Sequence, residues 1–227
     1  MKICFRIAYV LITILLLFGC KESQAQDMTK YLALGDSYTI GESVKASERY
    51  PNQLVLRLKE QGFNFSKAKI IAKTGWRTDD LISAIETEQI KDTFQLVSLL
   101  IGVNNQYQGK PIKQFEKELR QLIDLAIGFA GNDTTRVFLV SIPDYGYTPF
   151  GKKNQQQISK EISIYNGLTK QIALEYSIAW YNITPISQLG IENPQLIAED
   201  GLHPSGKMYA QWVDYLFEDI IKNHLKH

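Results

Sequence analysis

The stretch Tyr31-Leu32-Ala33-Leu34-Gly35-Asp36-Ser37-Tyr38-Thr39 sets the pattern for the rest of the chain. Four apolar residues run into Gly35-Asp36, which reads as a short strand followed by a turn. What comes next is helical: Pro51 suits a first helical position, and Leu54, Val55 and Leu58 share one face before Gly62 stops the run. A strand is expected again at Lys69 to Ala72, ending near Gly75, and then a helix from Asp79 to Ile90, with Thr78 as its cap.

The alternation continues to the C-terminus. Leu96 to Ile101 is the most apolar strand, and a continuous run of that kind implies burial on both faces of a parallel sheet. Ile112 to Phe129 is an amphipathic helix with Phe115, Leu119, Leu122, Ile123 and Ala126 inward. Arg136 to Ile142 forms a fourth strand stopped by Pro143, Ile158 to Tyr176 a helix, and Ala179 to Ile183 the fifth strand. Met208 to Leu225 closes the chain as a helix with Tyr209, Trp212, Val213, Leu216, Phe217 and Ile220 on its buried side. Five strands alternating with helices define an α/β fold, a parallel sheet covered on both faces. Ligands in such sheets bind beyond the carboxyl ends of the strands.

Ahead of this domain lies a segment of another kind. Lys2 and Arg6 precede an apolar run from Ile7 to Phe18, shorter than the roughly twenty residues needed to span a bilayer but suited to a signal-peptide core. The run ends Leu16-Leu17-Phe18-Gly19-Cys20, which looks like a bacterial lipobox, with cleavage before a lipidated Cys20. An ordinary signal peptide cut near Ser23-Gln24-Ala25 is the alternative. The division expected is therefore a leader at 1–19, a polar tether at 20–29 and one domain over 30–227, exported and held at a membrane through Cys20.

Loss of residues 1–19 removes Lys2 and Arg6 and takes the net charge from +1 to −1. A nucleic-acid partner would call for a basic surplus or stripe. With Cys4 in the leader and Cys20 at the lipid site, the domain has no cysteine for a disulfide, a thiolate metal site or a thiol nucleophile. Oligomeric state is not encoded in any pattern of the chain.

The strand ends carry the chemistry. They read Gly35-Asp36-Ser37-Tyr38-Thr39, Thr74-Gly75-Trp76, Gly102-Val103-Asn104-Asn105, Ser141-Ile142-Pro143-Asp144 and, past the fifth strand, Asp200-Gly201-Leu202-His203. A serine nucleophile needs an adjacent base. Of the three histidines, His224 and His227 are expected at a frayed C-terminus, which leaves His203. Asp200, three residues before it, is spaced to accept from Nδ1–H and leave Nε2 free for the serine proton. The backbone amides of Ser37 and Gly75 and the side-chain amide of Asn104 are candidate donors to a developing oxyanion. Each residue alone has a plainer reading: Ser37 a cap, Gly75 and Asn104 turn residues, His203 a structural histidine before Pro204. Their joint placement at one sheet edge favours chemistry.

In order and spacing, Gly35-Asp36-Ser37, Gly75, Gly102-x-Asn104 and Asp200-x-x-His203 resemble the conserved blocks of the SGNH/GDSL hydrolase family, with Ser37, Gly75, Asn104 and His203 as the named residues. The resemblance spans Tyr31 to the final helix. It implies a flavodoxin-like, three-layer α/β/α sandwich with a five-stranded parallel sheet. It also implies a two-step esterase reaction through an acyl-enzyme, without metal or cofactor. Asn105 stands where the family often has aspartate, and Thr39 follows Tyr38 where serine or leucine is common; neither position carries a role in the mechanism.

Asp36 is expected to fix the nucleophile loop, and Asp144 to form a turn with Pro143 and Tyr145-Gly146 in preference to contacting substrate. Trp76, Tyr38, Tyr145 and Tyr147 are candidates to line an acyl or sugar pocket. The expected substrate is a lysophospholipid or a short-acyl ester. Deacetylation of a polysaccharide is the rival within the enzyme class, and a non-catalytic surface binding lipoprotein the rival outside it.

Overall fold

The computed structural model describes residues 28–225. The leader, the proposed lipid site at Cys20, nearly all of the tether, and His227 lie outside the described residues. Five parallel strands form one sheet: β1 (Tyr31–Gly35), β2 (Lys69–Ala72), β3 (Leu96–Leu100), β4 (Val137–Val140) and β5 (Ala179–Tyr181), in the order β2-β1-β3-β4-β5. Among the described residues, eight α-helices accompany them: α1 (Ser37–Ile40), α2 (Tyr50–Glu60), α3 (Thr78–Glu88), α4 (Val103–Tyr107), α5 (Ile112–Phe129), α6 (Gln155–Glu175), α7 (Thr184–Ser187) and α8 (Gly206–Ile220). Helices α2 and α8 pack together on one face of the sheet, and α3, α5 and α6 form a row on the other. This is the three-layer, flavodoxin-like sandwich.

Burial follows position in the sheet. Every residue of β1, β3 and β4 is buried, whereas the edge strands β2 and β5 are only partly covered. The apolar runs of the central strands are thus accounted for by helices above and below. Under α2 and α8, Tyr50, Tyr209 and Trp212 form an aromatic cluster with centroids 4.9–6.3 Å apart. The Tyr50 hydroxyl lies 3.1 Å from Ser98 Oγ, itself 2.7 Å from the Tyr31 hydroxyl, and that of Tyr209 donates to the Tyr38 carbonyl at 3.0 Å, whereas Trp212 Nε1 has no hydrogen-bonding partner.

Boundaries shift where local chemistry competes with apolar patterning. The fourth and fifth strands are shorter than expected, because Ser141 Oγ turns to the amides of Ile183 and Thr184 (2.9 and 3.1 Å), beyond the strand ends. Thr78 is the first residue of α3, with Arg77 at the cap position. The last helix begins at Gly206, capped by Ser205, and gives way after Ile220 to a π-helical turn. Three helices went unread, α1, α4 and α7, each too short to show a period. Pairing begins one residue before Lys30: Thr29 bridges to Phe65.

His224 corrects the expectation of a frayed end. It is only 4% exposed, its Nδ1 against the Thr135 carbonyl and its Nε2 3.1 Å from the Tyr181 hydroxyl. Nδ1 facing a carbonyl must carry a proton, so this imidazole bridges α8's extension and the sheet, and it does not line the cleft at the strand ends.

Gly35 explains why β1 can feed a serine into the sheet edge. A Cβ there would lie 2.1 Å from Thr39 Oγ1 and 2.3 Å from the Leu100 carbonyl oxygen. Side-chain rotation cannot relieve a clash with backbone. Gly35→Ala is expected to destabilise the fold by about 2–3 kcal/mol and to lower Tm by roughly 5–10 °C, measurable by urea and thermal unfolding; an unchanged midpoint would contradict the close approach of β1 and β3.

Candidate active site

The winding of the sheet reverses between β1 and β3, and the carboxyl ends of these two neighbours open into a cleft of about 300 Å3. Its lining includes Ser37, Gly75, Asn104 and His203, contributed by four separate segments. Asp200 stands behind His203, outside the cleft.

Each segment has a local reason for its shape. Asp36 caps α1, one carboxylate oxygen accepting from Tyr38 N–H at 3.0 Å. This places Ser37 at the first position of a one-turn helix, where amides have no carbonyl to bond within the helix. Lys73 to Trp76 form a tight turn closed by Trp76 N–H to Lys73 O at 3.2 Å, with Gly75 at φ +86°. That third turn position demands a positive φ, which is why glycine stands there. Asn104 lies in the first turn of α4, and its Nδ2 donates to the Trp76 carbonyl at 3.0 Å. One amide hydrogen is thereby held and the other remains for the cleft.

Asn105, read as mechanistically silent, pins this arrangement. It is fully buried; its Oδ1 accepts from Thr78 N–H at 3.1 Å and its Nδ2 lies 2.7 Å from Thr78 Oγ1. It therefore ties α4 to the start of α3, immediately after the Gly75 turn. Because the Thr78 hydroxyl donates to Glu118, residue 105 must donate to that hydroxyl while accepting the Thr78 N–H, which an amide can do and an ionised carboxylate cannot.

Asp200 and His203 form the expected short-range pair. Nδ1 lies 2.6 Å from Asp200 Oδ2, while Oδ1 accepts the amides of Leu202 and His203, both at 2.9 Å. The imidazole is 8% exposed, and the Tyr38 ring meets it edge-on at 5.7 Å. Burial pushes the Asp200 carboxyl up, but the Ser43 hydroxyl, the His203 ring and the two amides outweigh that and hold it at about 2. Ser43 was not among the residues singled out from sequence; its hydroxyl donates to Asp200 Oδ2 at 2.6 Å across 157 positions.

The cleft walls are mostly aromatic. Tyr38 and Tyr145 line it as expected, with Val103, Leu202, Tyr107 and Phe150, whereas Trp76 and Tyr147 do not. Tyr107, Tyr145 and Phe150 sit with centroids 6.1–6.3 Å apart. Tyr107 and Phe150 are more than half exposed, at 60% and 52%. Neither had a period or motif to reveal it. Asp144 forms the turn: it is buried, accepts Gly146 N–H at 3.0 Å and Gln188 Nε2 at 3.1 Å, and its own amide donates to Ser187. Among the described residues, no group of three or more His, Cys, Asp and Glu is arranged to hold a metal ion.

Comparison with known proteins agrees with this architecture. The profile of the GDSL-like lipase/acylhydrolase family matches residues 33–211, and the chain belongs to that family. It is a carboxylic ester hydrolase. An arylesterase from Vibrio mimicus is 23% identical over 209 residues, covering 92% of this chain and 96% of that one. Among solved structures, a psychrotrophic esterase from Pseudoalteromonas superposes with a TM-score of 0.62 at 18% identity, covering 86% of this chain and 97% of that chain. A variant of an acetyl-xylooligosaccharide esterase from Geobacillus gives 0.64 at 19%, covering 88% and 95%. At these identities the structural likeness speaks for the fold.

Asp36 is the unusual titratable group. It is fully buried, one oxygen has no hydrogen-bonding partner, and burial pushes its carboxyl up to about 7 against the pull of nearby amides. The folded state therefore holds this proton more tightly than the unfolded one does. The associated stability is complete below pH about 4 and is lost as pH rises through about 7. Asp200, held at about 2, acts oppositely: its contribution is present above pH about 4 and is lost as pH falls toward 2. Asp36→Asn keeps an acceptor for Tyr38 N–H and removes the buried charge. Its Tm relative to the wild type is expected to be several degrees more favourable at pH 8 than at pH 5; a difference that is flat with pH would contradict the buried carboxyl.

Proposed function

We propose that the protein hydrolyses uncharged short-acyl esters through an acyl-enzyme built on Ser37. The observation that carries this reading is the convergence of Ser37, Gly75, Asn104 and His203 on one cleft, with Asp200 2.6 Å from the far side of the imidazole. His203 Nε2 takes the Ser37 proton as Oγ attacks the ester carbonyl. The amides of Ser37 and Gly75 and the side chain of Asn104 receive the oxyanion. The tetrahedral intermediate collapses, the alcohol leaves with the proton held by His203, and water attacks the acyl-enzyme with the same imidazole as base. Asp200 orients the ring and stabilises its charged form.

The cleft supports a small apolar acyl group better than a long chain. Its volume lies at the lower end for small-molecule sites, roughly 300–1,000 Å3, and Tyr38, Val103, Tyr145 and Leu202 wall it without a charged side chain. An acetylated sugar is the second reading, favoured by the exposed rings of Tyr107 and Phe150 at the mouth, which offer stacking faces to a ring-bearing alcohol. Export and anchoring through Cys20 belong to the same proposal and rest on the leader sequence; radiolabelled palmitate incorporation, lost in Cys20→Ala, tests them.

Ser37→Ala is expected to abolish turnover of p-nitrophenyl acetate and labelling by a fluorophosphonate; retained turnover would end the assignment. Asn104→Ala should reduce kcat by about a hundredfold to a thousandfold, as for other oxyanion donors. On a panel running from acetate to palmitate esters, kcat/KM is expected to peak at four carbons or fewer. Phe150→Ala and Tyr107→Ala should raise KM for aryl and sugar acetates more than for ethyl acetate.

A further inference from the structure

The carboxylate behind His203 has a neighbour that the chemistry above leaves without a role. Ser43 Oγ donates at 2.6 Å to Asp200 Oδ2, the same oxygen that faces His203 Nδ1. With Leu202 and His203 amides on Oδ1, four donors occupy the roughly four lone-pair sites of the carboxylate. Its orientation is fully specified only when all four are present.

Ser43 reaches this position at a backbone cost. Its φ is +64°, in the left-handed region, which glycine enters freely and other residues do not. The same loop uses glycine two residues earlier, where Gly41 has φ +67°. A hydroxyl-bearing residue therefore stands at 43 in a conformation that suits glycine better, with that hydroxyl on Asp200.

The loop is also fastened to both other parts of the site. The Ser37 carbonyl accepts the amides of Gly41 and Glu42, both at 3.0 Å. The Glu42 carboxylate accepts from Thr74 Oγ1, one residue before Gly75. Residues 41–43 thus join the nucleophile's helix, the Gly75 turn and the carboxylate of a loop far along the chain.

We propose that Ser43 is a positioning residue, a fourth member of the Ser37–His203–Asp200 relay, whose hydroxyl holds Asp200 in line with the imidazole. This rests on the reading of those three residues given above. Asp200 retains 29% side-chain exposure, so without Ser43 water takes the vacant site, the carboxylate turns more freely and Oδ2 carries more charge toward the ring. The other titratable groups about the imidazole are Tyr38, edge-on to it, and behind that ring Asp36, Asp144 and Tyr145; none touches Ser43. Nor does Ser43 line the cleft, so substrate binding is untouched.

The test compares Ser43→Ala and Ser43→Gly with the wild type in the full mature chain. Ser43→Ala and Ser43→Gly are expected to lower kcat for p-nitrophenyl acetate about tenfold, the effect of a hydrogen bond to a charged group discounted for partial exposure. KM should stay within twofold, and the acid limb of the kcat/KM profile should move to higher pH, since a more negative carboxylate favours the imidazolium. Ser43→Gly should keep or raise Tm, which separates loss of the hydroxyl from loss of the fold. Rates in Ser43→Ala and Ser43→Gly equal to wild type with an unmoved acid limb would overturn the proposal, as would a loss in Ser43→Ala that Ser43→Gly does not share, since that would trace the effect to backbone strain at φ +64° and not to the hydroxyl. Fluorophosphonate labelling separates the two levels: a wild-type protein not modified at Ser37 refutes the relay itself. Modification of wild type and Ser43→Ala at the same rate refutes only the part assigned to Ser43.

Discussion

The register of β1 against β3 is the constraint on which the site depends. Leu34 pairs with Leu99 and Gly35 with Leu100, and the absent Cβ of Gly35 lets Thr39 and the Leu100 carbonyl close over the strand end. Ser37 and Asn104 are each a few residues beyond these paired positions. Their separation is therefore set by backbone hydrogen bonds in the buried centre of the sheet, where slippage by one residue would turn every side chain to the wrong face. A site fixed in that way is rigid where the proposed oxyanion donors stand, as preorganised donors require.

The other half of the site is held differently. Asp200 and His203 come from a loop, and loops lack the ladder that fixes a strand end. Here the loop is secured from outside, where Ser43 reaches Asp200 from the segment after α1 and the Phe150 amide donates to the Gly201 carbonyl at 3.0 Å, and from within, where the Ala198 amide donates to the His203 carbonyl at 2.8 Å. The Tyr209 hydroxyl of α8 donates to the Tyr38 carbonyl at 3.0 Å, so the helix that follows His203 returns to grip the turn of Ser37. The aromatic mouth is assembled from the same pieces, and shares its support with His203.

Polar residues that looked incidental turn out to brace this frame. Asn105 joins α4 to α3 beside the Gly75 turn. Asn166 of α6 binds both the amide and the carbonyl of Ile142, at 2.8 and 2.9 Å, satisfying backbone where β4 has ended. Buried amides suit such duty because they donate and accept at once without carrying charge into the core. Asp36 is the exception, a carboxyl at the N-terminus of the helix of Ser37 that burial pushes up to about 7.

The linear chain by itself determined the layers and the site's principal members. Apolar runs at Leu96 to Ile101 and Tyr31 to Leu34 announce buried strands, periodic faces such as Phe115 to Ala126 announce helices, and both signals are local, so they survive in one dimension. The motif residues Ser37, Gly75, Asn104, Asp200 and His203 were legible because each follows a strand or lies within one turn of its partner. Tertiary structure alone decided what depends on contacts between distant segments. Ser43 meets Asp200 across 157 positions, Tyr107 and Phe150 become a cleft wall only when α4 and the loop before α6 converge, and His224 is drawn into the core by Tyr181 and Thr135. Helices of four or five residues, α1, α4 and α7, are too short to carry a period. Nothing local marks any of these, because their energy comes from packing between segments, and no window along the sequence contains both partners.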